Sequence, residues 1–142
     1  MDWPNHYPSQ CPPSQAETAQ QTIYRFLTRR NPRARDFLSY YDIDIKKVLD
    51  GKQEQPKDWG DDACRARGLS VFTKLEHCYE MQALVPAMRK KPLGELELEP
   101  TDGALILKTT GRHPEHHTVW IPSYNGLEGR CVPVPETKVE QA

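Results

Sequence analysis

Short runs of apolar residues recur along the chain and predict five β-strands. The runs are rich in β-branched and aromatic residues, which pack well on a pleated surface. One of them, at 93–98, alternates apolar and charged residues, as a strand with one solvated face does. The predicted strands lie at 22–27, 69–72, 93–98, 104–108 and 117–121.

Apolar residues at helical spacing predict short helices between these strands, at 35–41 and 44–49 and after Thr73. Thr73 and Glu76 fit a capping box, in which the threonine oxygen accepts a backbone N–H and the glutamate reaches back. A strand followed by helices, a polar loop, and a second strand, helix and three strands is the order of a small α+β domain.

Composition refines this picture at the two ends of the chain. The chain has 142 residues, which predicts one domain. Its 13 prolines cluster near the start and the end, where extended segments are common. We therefore expect a proline-rich arm at 1–20, an α+β domain at 21–124 and a C-terminal tail at 125–142.

Charge and cysteine content limit the classes of partner and compartment. The net charge of −1 argues against nucleic acid as a partner. The sequence has no apolar stretch of membrane-spanning length and no pattern of a secretory signal. Four cysteines occur without C-x-x-C spacing. These features predict a cytoplasmic protein with reduced thiols and no contact with a membrane.

Arginines, a glycine and a serine stand within or beside two predicted strands. Arg25 lies inside the first strand, where its side chain either points to solvent or grips a phosphate or carboxylate. Arg67, Gly68 and Ser70 begin the second strand. The glycine would allow close approach of a ligand and the serine offers a hydroxyl, although a β-bulge with solvated arginines fits equally well.

A histidine cluster precedes the last predicted strand. Adjacent residues of a strand face opposite ways, so at most one of His116 and His117 faces a pocket together with Trp120. The spacing of histidines and cysteines matches no standard zinc site, and no metal site is predicted. A single histidine that orients a ligand or transfers a proton is the simpler interpretation. Glu80 is either a solvated helix residue or an acid.

Several of these motifs resemble a widespread family of small uncharacterised bacterial proteins, over about residues 11–122. More remotely, their layout is similar to the ADP-ribosyltransferase-like fold, in particular the toxins named for arginine, glutamate and serine. In those toxins a Tyr-Arg pair lies on the first strand, a later strand ends in a hydroxyl residue, and the next helix carries a glutamate. The matching residues here are Tyr24-Arg25, Val71-Phe72-Thr73 and Glu80.

The resemblance implies a mostly antiparallel, curved sheet with two or three short helices. It also implies a toxin- or defence-related protein that binds NAD or another phosphorylated nucleotide. Arg25 would hold phosphate, and an aromatic ring would stack on the nicotinamide. The residues implied are Tyr24, Arg25, Arg67, Gly68, Ser70 and Trp120 for cofactor binding and Glu80, His116 and His117 for catalysis.

A function of another class also accounts for the sequence. A non-enzymatic immunity, antitoxin or adaptor module would act through protein–protein contacts and needs no catalytic set. Trp3 and Tyr7 of the arm would then form a docking segment that becomes ordered on a partner. A pocket that contains Arg25, Ser70 and a histidine would favour the nucleotide-binding hypothesis.

Overall fold

A computed structural model describes residues 3–136 of the chain. Each of the five predicted strands is present and is one residue shorter than expected. The strands are β1 (Glu17–Thr18), β2 (Thr22–Phe26), β3 (Leu69–Val71), β4 (Leu93–Glu97), β5 (Leu105–Lys108), β6 (His117–Trp120) and β7 (Val132–Pro133). The α-helices are α1 (Tyr40–Leu49), α2 (Leu75–Leu84) and α3 (Leu127–Arg130).

The strands form two antiparallel sheets. One sheet has the order β1-β5-β6-β3 and the other the order β2-β4-β7. An isolated bridge between Tyr24 and Phe72 links the sheets through reciprocal backbone hydrogen bonds of 2.8 and 2.9 Å. The predicted small α+β domain with antiparallel pairing is confirmed. The expected single sheet is wrong, because the strands form two sheets.

The main apolar cluster draws on both sheets, and its members are almost fully buried. Ile23 and Leu96 come from the three-stranded sheet, and Val71 and Val119 come from the four-stranded sheet. A second cluster forms where α2 meets Phe72. Burial of side chains from both sheets is what holds the sheets together, since apolar area removed from water is the main stabilising contribution.

Helix α1 is capped at both ends. Ser39 Oγ accepts the Asp42 N–H, and the Asp42 carboxylate accepts the Ser39 N–H, each at 3.1 Å. This reciprocal pair satisfies two donors at the start of the helix. Gly51 follows the helix with a φ of +74°, the left-handed conformation that commonly ends a helix.

The predicted capping box of α2 is wrong. The helix begins at Leu75 with Lys74 as N-cap, and no side chain caps it. The bridge from Phe72 to Tyr24 keeps the chain extended beyond β3, and Lys74 still has φ −134° and ψ 134°. Thr73 therefore lies one position too early to act as the cap.

The folded body extends beyond the boundaries expected at residues 20 and 124. Strand β1 pairs with β5, and β7 pairs with β4, so arm and tail each contribute one edge strand. Residues 137–142 of the predicted tail lie outside the described residues. Among residues 3–136, no helix is both long enough and apolar enough to cross a membrane.

A disulfide joins Cys11 of the arm to Cys64 of the body. The expectation of reduced thiols is therefore wrong for this pair, while Cys78 and Cys131 are free and buried. Sequence spacing could not identify the pair, because the two cysteines are 53 residues apart. The cytoplasmic location stays a prediction.

Candidate functional site

Arg25 points inward rather than into solvent. It shares the period of two with Ile23 and Leu27, both 1% exposed, so its side chain lies on the buried face of β2. Its Nε donates to the Asp36 carbonyl at 2.6 Å and its Nη1 donates to the Ser70 carbonyl at 2.7 Å. Burial lowers the pKa of Arg25. The guanidinium is thus fixed in place by two backbone acceptors.

A cavity of about 210 Å³, here called the Arg25 cleft, opens beside this guanidinium. The structure brings three of the predicted site residues together in it. The cleft is lined by Arg25, Phe26, Leu27, Thr28, Arg35, Asp36, Leu38, Ser39, Tyr40, Ile43, Gly68, Ser70 and Lys91. No histidine lines it, so only part of the expected combination is present.

The carboxylate in the Arg25 cleft is fully used by its own surroundings. Asp36 is 4% exposed. One oxygen accepts from both the N–H and the hydroxyl of Thr28 at 2.9 Å, and the other accepts the Arg33 N–H at 2.9 Å. The side chain of Asp36 therefore does not pair with Arg25. Within residues 3–136, Nη2 of Arg25 makes no hydrogen bond.

Gly68 contributes backbone to the wall of the cleft. A Cβ at this position would lie 2.3 Å from Thr118 Cγ2 and 3.1 Å from Trp120 Nε1. The glycine is therefore required by the close approach of β6, a purely internal reason.

The two aromatic residues expected to stack on a ligand do not line the cleft. Trp120 is 1% exposed, and its Nε1 donates to the Cys64 carbonyl at 2.9 Å. Stacking of Trp120 on a cofactor ring is therefore wrong. Tyr24 lies on the opposite face of β2 from Arg25 and packs against the cluster around Phe72.

Arg67 belongs to a different cavity. Its Nη1 donates to the Ala63 carbonyl at 2.7 Å and its Nε to the His6 carbonyl at 3.0 Å. Its guanidinium carbon lies 4.0 Å from the centre of the Tyr41 ring. The cavity at this place, here called the Arg67 cavity, has a volume of about 330 Å³. The expected joint role of Arg25 and Arg67 at one ligand is therefore wrong.

His116 and His117 have different hydrogen-bond partners. Nδ1 of His116 lies 3.0 Å from Thr109 Oγ1, and its ring meets Phe72 edge-on. Nδ1 of His117 lies 2.7 Å from the Glu115 carbonyl oxygen. Burial, followed by the charge of Arg65, lowers the pKa of His116 to about 4. That imidazole is neutral at pH 7.

Glu80 contacts a third histidine. Its Oε1 lies 2.7 Å from Nε2 of His113, which is 4% exposed. The Glu115 N–H donates to Nδ1 of His113 at 3.0 Å, so Nδ1 carries no proton and Nε2–H donates to Glu80. Glu80 is thus hydrogen-bonded to His113, a histidine outside the predicted catalytic set. In the described part of the chain, no three side chains are grouped to hold a metal ion.

Sequence reasoning missed three residues of the Arg25 cleft. Arg35 and Lys91 add positive charge, and Tyr40 adds an exposed ring. Lys91 is the last residue of the basic run at 89–91, which by sequence alone is typical of a solvated surface. No local pattern indicates that Lys91 lies beside β2 in the folded chain. Comparisons with protein-family models, curated proteins and solved structures find no match to this chain.

Proposed function

We propose that this chain binds a phosphorylated nucleotide in the Arg25 cleft. The observation that carries the proposal is the fixed guanidinium of Arg25. Because Nε and Nη1 are already held by the Asp36 and Ser70 carbonyls, Nη2 is positioned before any ligand arrives. A pre-positioned guanidinium loses little conformational entropy on binding a phosphate oxygen.

Two further cations make the cleft suitable for a phosphate group. Arg35 and Lys91 line it and are exposed, so they can move toward a ligand. The Asp36 carboxylate accepts from Thr28 and from the backbone N–H of Arg33, so it does not take up the side-chain donors of the three cations. Charge-assisted hydrogen bonds to a phosphate are stronger than those between neutral groups.

An apolar wall favours a nucleotide over inorganic phosphate. Tyr40 is 60% exposed and Ile43 is 38% exposed, and both line the cleft. A flat base can stack on the tyrosine ring while its phosphate lies against Arg25. The cavity is smaller than a typical cofactor pocket, so the base would lie at its mouth.

The resemblance to the ADP-ribosyltransferase-like fold makes NAD the first dinucleotide to test. ADP-ribose transfer is the wider form of the proposal and would appear as turnover of NAD. Glu80, His116 and His117 contact other groups, so the cleft itself supports binding. The alternative, a non-enzymatic interaction module, would dock through Trp3 and Tyr7; in this structure the Trp3 ring stacks on Tyr7, and the Tyr7 hydroxyl donates to the Arg67 carbonyl.

Calorimetric titration with AMP, ADP-ribose, NAD and inorganic phosphate tests the proposal. Lys91→Gln should weaken AMP binding about five- to tenfold, the loss expected for one charged contact. Lys90→Gln is the matched control, because Lys90 is adjacent and does not line the cleft. AMP should bind more tightly than phosphate. Absence of binding by every nucleotide, or equal losses in the two lysine variants, would overturn the proposal and favour the interaction module.

A further inference from the structure

We propose that the Cys11–Cys64 disulfide is a redox latch that holds residues 3–16 in place as one wall of the Arg67 cavity. These residues are the part of the predicted N-terminal arm that precedes β1, and they are called the arm from here on. When the disulfide is reduced, the arm leaves the body and the cavity loses that wall. This proposal is independent of nucleotide binding in the Arg25 cleft.

The arm touches the body through a few side-chain contacts. The His6 ring stacks on Tyr41 at 4.2 Å, with 13° between the rings. The Tyr7 hydroxyl donates to the Arg67 carbonyl at 3.3 Å, and Arg67 Nε donates back to the His6 carbonyl at 3.0 Å. His6 nevertheless remains exposed. Each contact is of the kind that contributes little by itself.

The backbone of the arm does not pair with the body. Its backbone–backbone hydrogen bonds, within the described residues, are local turns: Tyr7 to Pro4, Cys11 to Pro8 and Ala16 to Pro13. Pairing with the rest of the fold starts at β1, which joins β5. Release therefore has a defined limit, with β1 as the anchor.

The disulfide connects the arm to the segment that carries Arg67, the residue to which His6 and Tyr7 are hydrogen-bonded. Cys64 lies three residues before Arg67, in the chain that enters the turn at Arg65–Arg67. A covalent link at this place keeps His6 and Tyr7 at high effective concentration beside Arg67. Without the link, the arm is tethered only through Glu17, and the same few contacts must restrict a longer flexible segment.

The redox step is a simple exchange with a dithiol reductant. One thiolate of the reductant attacks a sulfur of the Cys11–Cys64 bond, and its second thiolate resolves the mixed disulfide. The S–S bond breaks, two electrons and two protons pass to the cysteines, and the reductant leaves as a disulfide. Both cysteines are only half-buried, so the reductant can reach them.

The other two cysteines stay outside this exchange. Cys78 is 0% exposed and Cys131 is 7% exposed. Burial raises the pKa of Cys78 to about 12 and that of Cys131 to about 11. Both remain protonated at neutral pH and do not attack the disulfide, because the thiolate is the nucleophile.

Removal of the arm changes the Arg67 cavity directly. Pro4, His6 and Tyr7 form one of its walls, and the rest comes from the body. Release uncovers the Tyr41 ring and the guanidinium of Arg67, both of which His6 contacts in the oxidised chain. Reduction therefore removes one wall of the cavity and leaves a wider aromatic and cationic surface.

NMR of the full chain, oxidised and then treated with dithiothreitol, tests the latch. In the oxidised chain, cross-peaks between the His6 and Tyr41 rings and ordered amides at 5–7 are expected. Reduction should remove the cross-peaks and lower the amide order parameters from about 0.85 to below about 0.6. The amides of β1 should not change.

Two variants separate the latch from general effects of the reductant. Cys11→Ser should reproduce the reduced state without dithiothreitol. Cys78→Ala is the matched control and should retain the His6–Tyr41 cross-peaks until reductant is added. The proposal is overturned if the arm is equally ordered in both redox states, or if all four cysteines of the folded, air-oxidised chain can be alkylated after denaturation. If Cys11→Ser does not fold, the two states of the natural chain still decide.

Discussion

Arg25 and Arg67 both lie close to β3, and each has its guanidinium fixed by backbone carbonyls. Arg25 uses carbonyls of the body, those of Asp36 and Ser70. Arg67 uses Ala63 and, from 61 residues away, His6. The surroundings differ: the arm and Tyr41 cover Arg67, whereas the Arg25 cleft has two further cations at its wall.

The comparison shows that an arginine beside a strand is not by itself a ligand site. What decides is what surrounds the guanidinium, since Nη2 makes no hydrogen bond within residues 3–136 in either arginine. The arm and Tyr41 lie against the guanidinium of Arg67, whereas that of Arg25 lines a cleft with two further cations. An unused donor beside other cations is a better sign of ligand binding than the residue type alone.

The largest expected effect separates the two arginines by stability. Arg25→Ala removes a side chain from the buried face of β2 and leaves the Asp36 and Ser70 carbonyls without these donors. The free energy of unfolding should fall by about 3–5 kcal/mol. Urea denaturation of the variant measures this loss. Arg25→Lys is the conservative control and should recover part of it. A loss below that of Arg67→Ala would break the comparison.

The next effect concerns His116, whose pKa is lowered first by burial and then by nearby positive charge. Its pKa of about 4, against an ordinary 6.5, means that the unfolded chain binds the proton first as pH falls. The stabilising contribution is therefore complete above pH 6.5 and is lost between pH 6.5 and 4. We expect a decrease of about 2 kcal/mol, less than full coupling because the ring is partly exposed.

Denaturation series across pH check this expectation. The charges that contribute to the low pKa of His116 are those of Arg65, His117, Arg25 and His113. His116→Gln should flatten the profile between pH 6.5 and 4. An unchanged slope in this variant would place the pH dependence on other groups.

A smaller effect is expected at Arg67. Arg67→Ala removes the hydrogen bonds to Ala63 and His6 and the contact with the Tyr41 ring. Since this site is half-buried and near the surface, the loss should be about 1–2 kcal/mol. Thermal melts with the disulfide intact measure it. A loss as large as that of Arg25→Ala would show that the arm is part of the core.

The smallest stability effect lies at neighbouring tyrosines of α1. Tyr40 is 60% exposed and lines the Arg25 cleft, so Tyr40→Ala should change stability by less than about 0.5 kcal/mol. Tyr41→Ala should cost about 1 kcal/mol, because His6 and Arg67 both contact its ring. Calorimetry with AMP should show the reverse order, with weaker binding only in Tyr40→Ala.

Short runs of β-branched and aromatic residues predict most of the fold, because they identify β2 to β6. The period of two along β2 also places Arg25 on the same face as Ile23 and Leu27. Strands β1 and β7 could not be found in this way, because two residues show no alternation.

The candidate site was predicted only in part, for physical reasons. Gly68, Ser70 and Arg25 meet because β3 lies beside β2. The predicted position of Trp120 in a ligand pocket is wrong because β6 is covered on both faces. Successive residues of such a strand are buried, so alternation does not show which of them face a pocket. The link between the arm and the body could not be predicted, because four cysteines offer six possible pairs and the sequence marks none of them.

Strand β7 has a consequence for how this protein behaves in concentrated solution. It is an outer strand of the three-stranded sheet, only two residues long, and one of them is Pro133. Proline has no N–H to donate, so this edge offers a poor template for a strand of another molecule. The same short tail that completes the sheet thereby protects it from edge-to-edge aggregation.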